Sequence, residues 1–155
     1  MLLDDLSIVK KLGNSSFGDL FLTLKQGYIE ISVTNQINKK AINIKNCKKY
    51  INREIAILKG INHENIVKLY EIKETSEYLY IVREYCNGGN LDKCLQKYQE
   101  SYNSPFPEEL VQYFMRQIIS AVKYLHDKRI INRDIKLNNI LVHYNSEEDK
   151  KRKIY

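Results

Sequence analysis

The sequence predicts an α+β chain whose short strands gather in the first half and whose helices gather in the second. Three observations predict it. The segment YIEISVTNQI (Tyr28–Ile37) alternates with a period of two, and PEELVQYFMRQIISAVKYLHDK (Pro107–Lys128) repeats its apolar residues at helical spacing. Between them CNGGNL (Cys86–Leu91) breaks the pattern with adjacent glycines, so the chain divides into segments 1–86 and 87–155 with a hinge between them.

From Leu6 to Leu24 the chain reads as two strands around the loop GNSSFG, with Gly13 and Gly18 as turn punctuation. In the third strand Ile29, Ile31, Val33 and Ile37 share one face with Asn35, while Glu30, Ser32, Thr34 and Gln36 share the other. Asn35 therefore interrupts an apolar face. A helix follows in KKYINREIAILKGI, where Ile51, Ile55 and Leu58 form a stripe that includes Glu54. A carboxylate on such a stripe needs a cationic or hydrogen-bonding partner. IVKLYEIKE and EYLYIVREY read as a strand pair, and LDKCLQKYQ as a short helix. The long helix starts well at Pro107, Glu108 and Glu109 and turns Val111, Phe114, Ile118, Val122 and Leu125 inward.

At 155 residues, 43% hydrophobic and 28% charged, the chain is a soluble globular domain or part of a larger one. Asp4 and Asp5 interrupt any leader-like apolar run, and no uncharged apolar stretch is long enough for a membrane span. Cys47, Cys86 and Cys94 lack metal-ligand spacing and read as reduced thiols of a cytoplasmic protein. The net charge of +6 comes from scattered lysines and the tail DKKRK, which reads as a solvated loop and gives no nucleic-acid-binding stripe.

The stretch IINRDIKLNNILV (Ile130–Val142) sets Asp134, Lys136 and Asn139 in a short polar loop between apolar runs. Taken in order, a glycine-rich turn between strands, a glutamate on the next helix, a glycine hinge and NRDIKLNN resemble the N-terminal lobe and catalytic loop of a eukaryotic serine/threonine protein kinase. The resemblance covers nearly the whole chain. It implies a bilobal fold, with a small antiparallel-sheet lobe carrying one main helix and then an incomplete helical lobe.

The resemblance also implies roles. Asp134 would be the catalytic base for a substrate hydroxyl, Lys136 would neutralise charge on the transferring phosphoryl group, and Asn139 would hold a magnesium ion. Leu12, Leu20, Val33 and Leu141 match positions that sandwich adenine, although spacing alone makes them ordinary core residues. Gly13 and Gly18 match the phosphate loop, Glu84 to Cys86 the backbone that meets the base, and Asn90 the position facing the ribose. The implied cofactors are ATP and Mg2+, and the partners a protein substrate or another protein. EYCNGGNL further resembles the autophagy-initiating unc-51-like group.

Several residues depart from the family pattern. Asn35 stands where the nucleotide-binding lysine would pair with Glu54, and an amide cannot supply that charge. Ser15 replaces the middle glycine of the loop, Asn132 replaces the histidine before Arg133 and Asp134, and Arg83 stands at the back of the adenine pocket. Lys25 is the candidate substitute for the lost lysine. The sequence ends at KRKIY, before the place of the family's Asp-Phe-Gly motif, so the resemblance implies impaired transfer, with a catalytically silent, protein-binding kinase module as the alternative. It also implies that the long helix and the loop expose apolar surface. A monodisperse, cooperatively unfolding monomer would contradict that expectation.

Overall fold

Strand pairing on both edges of β3 organises the first half of the chain. The computed structural model describes residues 6–15, 18–25, 31–44 and 47–144. Ile29 and Glu30, expected in the third strand, lie outside the described residues, as does the basic tail. The chain divides between Tyr85 and Cys86 into two compact units.

In the first unit β1 (Leu6–Ser15), β2 (Gly18–Lys25), β3 (Ile31–Asn38), β5 (Tyr78–Glu84) and β4 (Leu69–Glu74) form an antiparallel sheet in that spatial order. A short helix α1 (Lys39–Ile44) follows β3, and α2 (Lys48–Lys59) precedes β4. Residues opposite one another in such a sheet share a face. Ile37, Leu79 and Ile81 thus lie on one face, where they form a core with Ile42 and Ile51, extended by Ile55, Leu69 and Ile72. Only Ile51 of α2 is fully buried, so this helix is seated through a narrow stripe.

The opposite face of β3 differs from its polar appearance in the sequence. Thr23, Ser32 and Thr34 are buried, as are Tyr80 and Val82 on β5. The three hydroxyls satisfy one another: Thr23 Oγ1 lies 2.7 Å from Thr34 Oγ1 and 2.9 Å from Ser32 Oγ. Threonine and serine are tolerated there because the hydrogen bonds offset the desolvation of the hydroxyls. Ile31, expected on the core face, is 42% exposed because it pairs with Leu24 but lies one residue beyond the pairing of β3 with β5.

The second unit contains α3 (Leu91–Tyr102), α4 (Glu108–Asp127) and a small ladder of β6 (Gly89–Asn90) with β7 (Leu141–Val142). Its core is Leu91, Cys94, Phe114 and Val142, with Phe106, Leu110, Ile140 and Tyr144 packed around it. Asn90 caps α3 by accepting a 2.9 Å hydrogen bond from the Lys93 amide. Pro107 stands at the N-cap of α4, ahead of the first-turn acids Glu108 and Glu109. Phe114 and Leu125 are buried as expected, but Leu110 supplies the inward residue in the first turn and Val111 is exposed. Val111, Met115 and Ile119, four residues apart, form an exposed apolar stripe. Among the described residues, no helix is long and apolar enough to cross a membrane.

α4 ends in a Schellman-type turn: the amide of Arg129 donates to His126 O at 2.8 Å, and that of Ile130 to Leu125 O at 2.9 Å. Arg129 makes this turn with a φ of +59°, a conformation that glycine adopts at little steric cost. We expect Arg129→Gly to stabilise the chain by roughly 0.5–1 kcal/mol, read as an increase in urea midpoint at unchanged slope.

Candidate functional site

The residues singled out by the sequence fall into two groups, one in each unit. In the first, Leu20 lies opposite Asn35, which in turn lies opposite Ile81. Val33 lies opposite both Leu22 and Arg83. Leu20, Val33, Asn35 and Arg83 therefore share the face on which α2 packs. Leu12 sits in an irregularity of the β1–β2 pairing, between Lys11 and Gly13, and is 42% exposed. That break in register has no signature in the apolar pattern of β1.

Asn35 is buried and engaged: the Ser15 hydroxyl lies 2.9 Å from Asn35 Oδ1 and 3.1 Å from Gly18 O, donating to these acceptors. The two departures at positions 15 and 35 are thus a hydrogen-bonded pair that ties the end of β1 to β3. Gly18 is needed for packing, because a Cβ there would lie 1.8 Å from Gln36 O. At Gly13 the same atom would meet nothing within 4 Å.

Glu54 does not occupy the buried position expected of it. It is exposed, because α2 seats through Ile51 and Ile55 and leaves Glu54 at the margin of the contact. Its carboxylate acts electrostatically on Arg83, whose half-buried guanidinium is pushed below its ordinary pKa by burial and held up by Glu54. Lys25 does not replace the missing cation at position 35. It alternates with Leu24 onto the opposite face of β2, where its Nζ lies 3.5 Å from Glu71 Oε2. Lys39 is also committed, to Glu74 at 2.6 Å and to the carbonyl of Thr75. Glu84 ends β5, with its amide on Lys68 O and its carboxylate accepting from the Lys68 amide at 3.1 Å. A separate groove of about 350 Å³, walled by Lys39, Ile42, Lys48, Ile51, Ile55 and Leu79, includes none of the residues at positions 15, 35 or 83.

In the second unit the loop after α4 brings Asp134, Lys136 and Asn139 together. Lys136 Nζ lies 2.9 Å from Asp134 Oδ1. Asn139 Nδ2 donates to Asp134 Oδ2 at 2.7 Å and to the Asp134 carbonyl at 2.9 Å. A single 3-10 turn, Leu137–Asn139, provides the reversal that folds Asn139 back. Both carboxylate oxygens therefore have a partner, yet each keeps a further lone pair for another donor. The hydrogen bonds from Lys136 and Asn139 hold Asp134 below its ordinary carboxylate pKa, so it is ionised at neutral pH.

Asn132 supports this loop. Its Oδ1 accepts from the Asp134 amide at 3.0 Å, an Asx turn at the position where the family pattern has histidine. An asparagine two residues before the aspartate was the available signal. Arg133 between them has a φ of +68°, so the loop holds a non-glycine residue in the left-handed region. Of the apolar residues within and after the loop, Ile135 and Leu141 are 54% and 47% exposed, and Ile140 and Val142 make the core contacts. Asn90 pairs with Leu141 across the small ladder and places its Nδ2 3.4 Å from Asn138 Oδ1. Cys86 is half-buried at the start of this unit. Gly88 packs where a Cβ would lie 2.8 Å from Val142 O, and Gly89 takes a φ of +75°, so both glycines have local work in this unit.

The protein kinase domain family matches residues 6–154, and the chain belongs to it. Within that family it resembles serine/threonine kinases. It is 40% identical over 132 residues to calcium-dependent protein kinase 5 of Plasmodium berghei, covering 84% of this chain and 22% of that protein. It is 36% identical over 132 residues to the human serine/threonine-protein kinase ULK1, covering 84% of this chain and 12% of that one. It is 33% identical over 144 residues to the Aurora kinase of Candida glabrata, covering 93% and 39%. The chain spans well under half the length of these relatives. Identities this similar across differently named kinases place the chain in the family without singling out a subgroup.

Replacing Lys136 by Met removes the ion pair that is the largest influence on Asp134. We expect the Asp134 carboxyl to titrate at higher pH in Lys136→Met than in the parent chain, with the carboxyl carbon shift followed by NMR as the measurement. Gly18→Ala should destabilise the first unit by about 2 kcal/mol or more, because β2 and β3 must separate to admit the methyl group. Urea denaturation checks it.

Proposed function

We propose that this chain provides the nucleotide-binding sheet and catalytic loop of a serine/threonine protein kinase, which transfers the γ-phosphoryl group of ATP to protein hydroxyls. The observation that carries the reading is the cluster of Asp134, Lys136 and Asn139. An ionised carboxylate with a spare lone pair can accept a hydroxyl proton, and the Lys136 ammonium beside it can offset charge on a phosphoryl group. Phosphoryl transfer asks little of a protein beyond such positioning and electrostatics.

The residues fit magnesium only as part of a shared site. Asn139 spends its amide nitrogen on Asp134, which leaves Oδ1 as a hard oxygen donor. Among the described residues, no group of three or more His, Cys, Asp or Glu comes together to hold a metal alone. Magnesium when bound would neutralise phosphate charge, and it takes most of its ligands from phosphates and water in sites of this kind. Leu20 and Val33 offer apolar surface for adenine on the face that also holds Asn35. Leu12, Leu141, Glu84 to Cys86 and Asn90 complete the assignment carried by the family resemblance. Residues 1–86 are read as the nucleotide-binding lobe and 87–155 as part of the catalytic lobe. Among the described residues Cys47, Cys86 and Cys94 form no disulfide, which suits a cytoplasmic protein.

One observation favours a second reading, a kinase-like module that binds a protein or nucleotide without transferring phosphate. Asn35 lacks a charge and is held by Ser15. Loss of one preorganised electrostatic group costs about a hundred- to a thousand-fold in rate. Titration of the purified chain with ATP, with and without Mg2+, separates the readings when paired with a peptide phosphorylation assay. We expect Mg2+-dependent binding in the parent chain and in Asp134→Asn, with transfer reduced by at least about a thousand-fold in the variant. Binding with no transfer in either would establish the second reading, and absence of binding in a folded sample would defeat the first.

A further inference from the structure

We propose that Asn132 is the positioning residue for Asp134: its side-chain carbonyl imposes the backbone turn at Arg133 that presents the Asp134 carboxylate to Lys136 and Asn139. The proposal deepens the kinase reading and rests on it for the consequence in phosphoryl transfer.

The chain leaves α4 at Ile130, whose amide donates to Leu125 O at 2.9 Å, and Asp134 follows four residues later. Residues 131–139 are exposed, so burial does little to fix their course. Asn132 fixes it locally, by accepting from the Asp134 amide at 3.0 Å. In such an Asx turn the side-chain carbonyl stands in for the backbone carbonyl that opens a β-turn, which puts Arg133 in the place of the third residue of that turn. A type II turn requires a positive φ at this place, and Arg133 has a φ of +68°. For a residue with a Cβ, that conformation costs about as much as one hydrogen bond contributes. Removing the Asn132 acceptor therefore removes what offsets the left-handed turn.

The turn matters to the carboxylate because Asp134 is held from both sides. Its amide is bound upstream by Asn132, and its carbonyl downstream by Asn139 Nδ2 at 2.9 Å. Asn139 is itself placed by its own amide, which donates to Lys136 O at 2.9 Å. The two backbone bonds of Asp134 fix the direction of its Cα–Cβ bond. Along that direction the carboxylate meets Asn139 Nδ2 at 2.7 Å and Lys136 Nζ at 2.9 Å. Asn132 thus acts on the carboxylate through the backbone, and position 132 needs an acceptor of the right reach two residues before the aspartate.

NMR on the full chain tests the positioning without requiring catalysis. Asn132→Ala and Asn132→Gln should each speed exchange of the Asp134 amide about five- to twenty-fold and move the Asn139 side-chain amide protons upfield as they lose Asp134. Glutamine keeps the amide, but its extra methylene group enlarges the ring. Asn132→Asp retains the acceptor and should keep exchange within about two-fold of the parent. Unchanged exchange and unchanged Asn139 signals in Asn132→Ala and Asn132→Gln would overturn the proposal, as would equal loss in Asn132→Asp or a thermal midpoint that falls in step with the NMR changes. Should Asn132→Ala fail to fold, the glutamine and aspartate variants carry the comparison. In a peptide phosphorylation assay, Asn132→Gln should lower kcat about ten- to a hundred-fold with KM for ATP changed under about three-fold, because the carboxylate is displaced and the nucleotide contacts are not. An unchanged kcat would refute the extension to transfer. If the parent chain transfers no phosphate while the NMR responses are present, the positioning stands and the kinase reading of this chain fails.

Discussion

The first unit depends on β3 having a paired neighbour on each edge. β2 and β5 pair with its backbone and fix its register, and that register decides the neighbours of Val33 and Asn35. A slip of one residue would carry Asn35 and Val33 to the far side of the sheet and bring Thr34 to the α2 side. The buried hydroxyls of Thr23, Ser32 and Thr34 help to prevent it, since displaced onto the aliphatic core they would lose one another as partners. Gly18 contributes to the same end by allowing β2 to approach Gln36 closely.

The loop around Asp134 achieves its order by a different route. It is exposed, and no large core lies directly over it, so its shape rests on short-range polar bonds: the Asx turn from Asn132, the fold-back of Asn139 and the Lys136 ion pair. Ile140 and Val142 fasten only its far end to the core. Such a loop holds two side chains, Lys136 and Asn139, around one carboxylate at small cost in burial. It leaves Ile135 and Leu141 exposed, and α4 carries its own uncovered stripe at Val111, Met115 and Ile119, in line with the apolar exposure expected from the resemblance.

The departures from the family pattern look different once placed in space. Asn35 and Ser15 are bonded to each other, which ties the end of β1 to β3. Each would be read in isolation as damage to the nucleotide site. Together they form a matched polar pair, which is how a half-buried face tolerates them.

The sequence by itself determined the α+β class, the strand and helix order, the family and the clustering of Asp134, Lys136 and Asn139, because period, glycine placement and short loop spacing are local properties. It also located the start of α4, where Pro107 and two acids mark the helix end. Tertiary structure decided that both faces of β3 hold buried residues, which the polar alternation of Ser32 and Thr34 does not signal. It decided that Glu54 lies at the margin of α2, that Lys25 points across the sheet, and that Arg83 shares the face of Asn35. Those facts depend on register between segments some fifty residues apart, and no pattern within one segment carries that information.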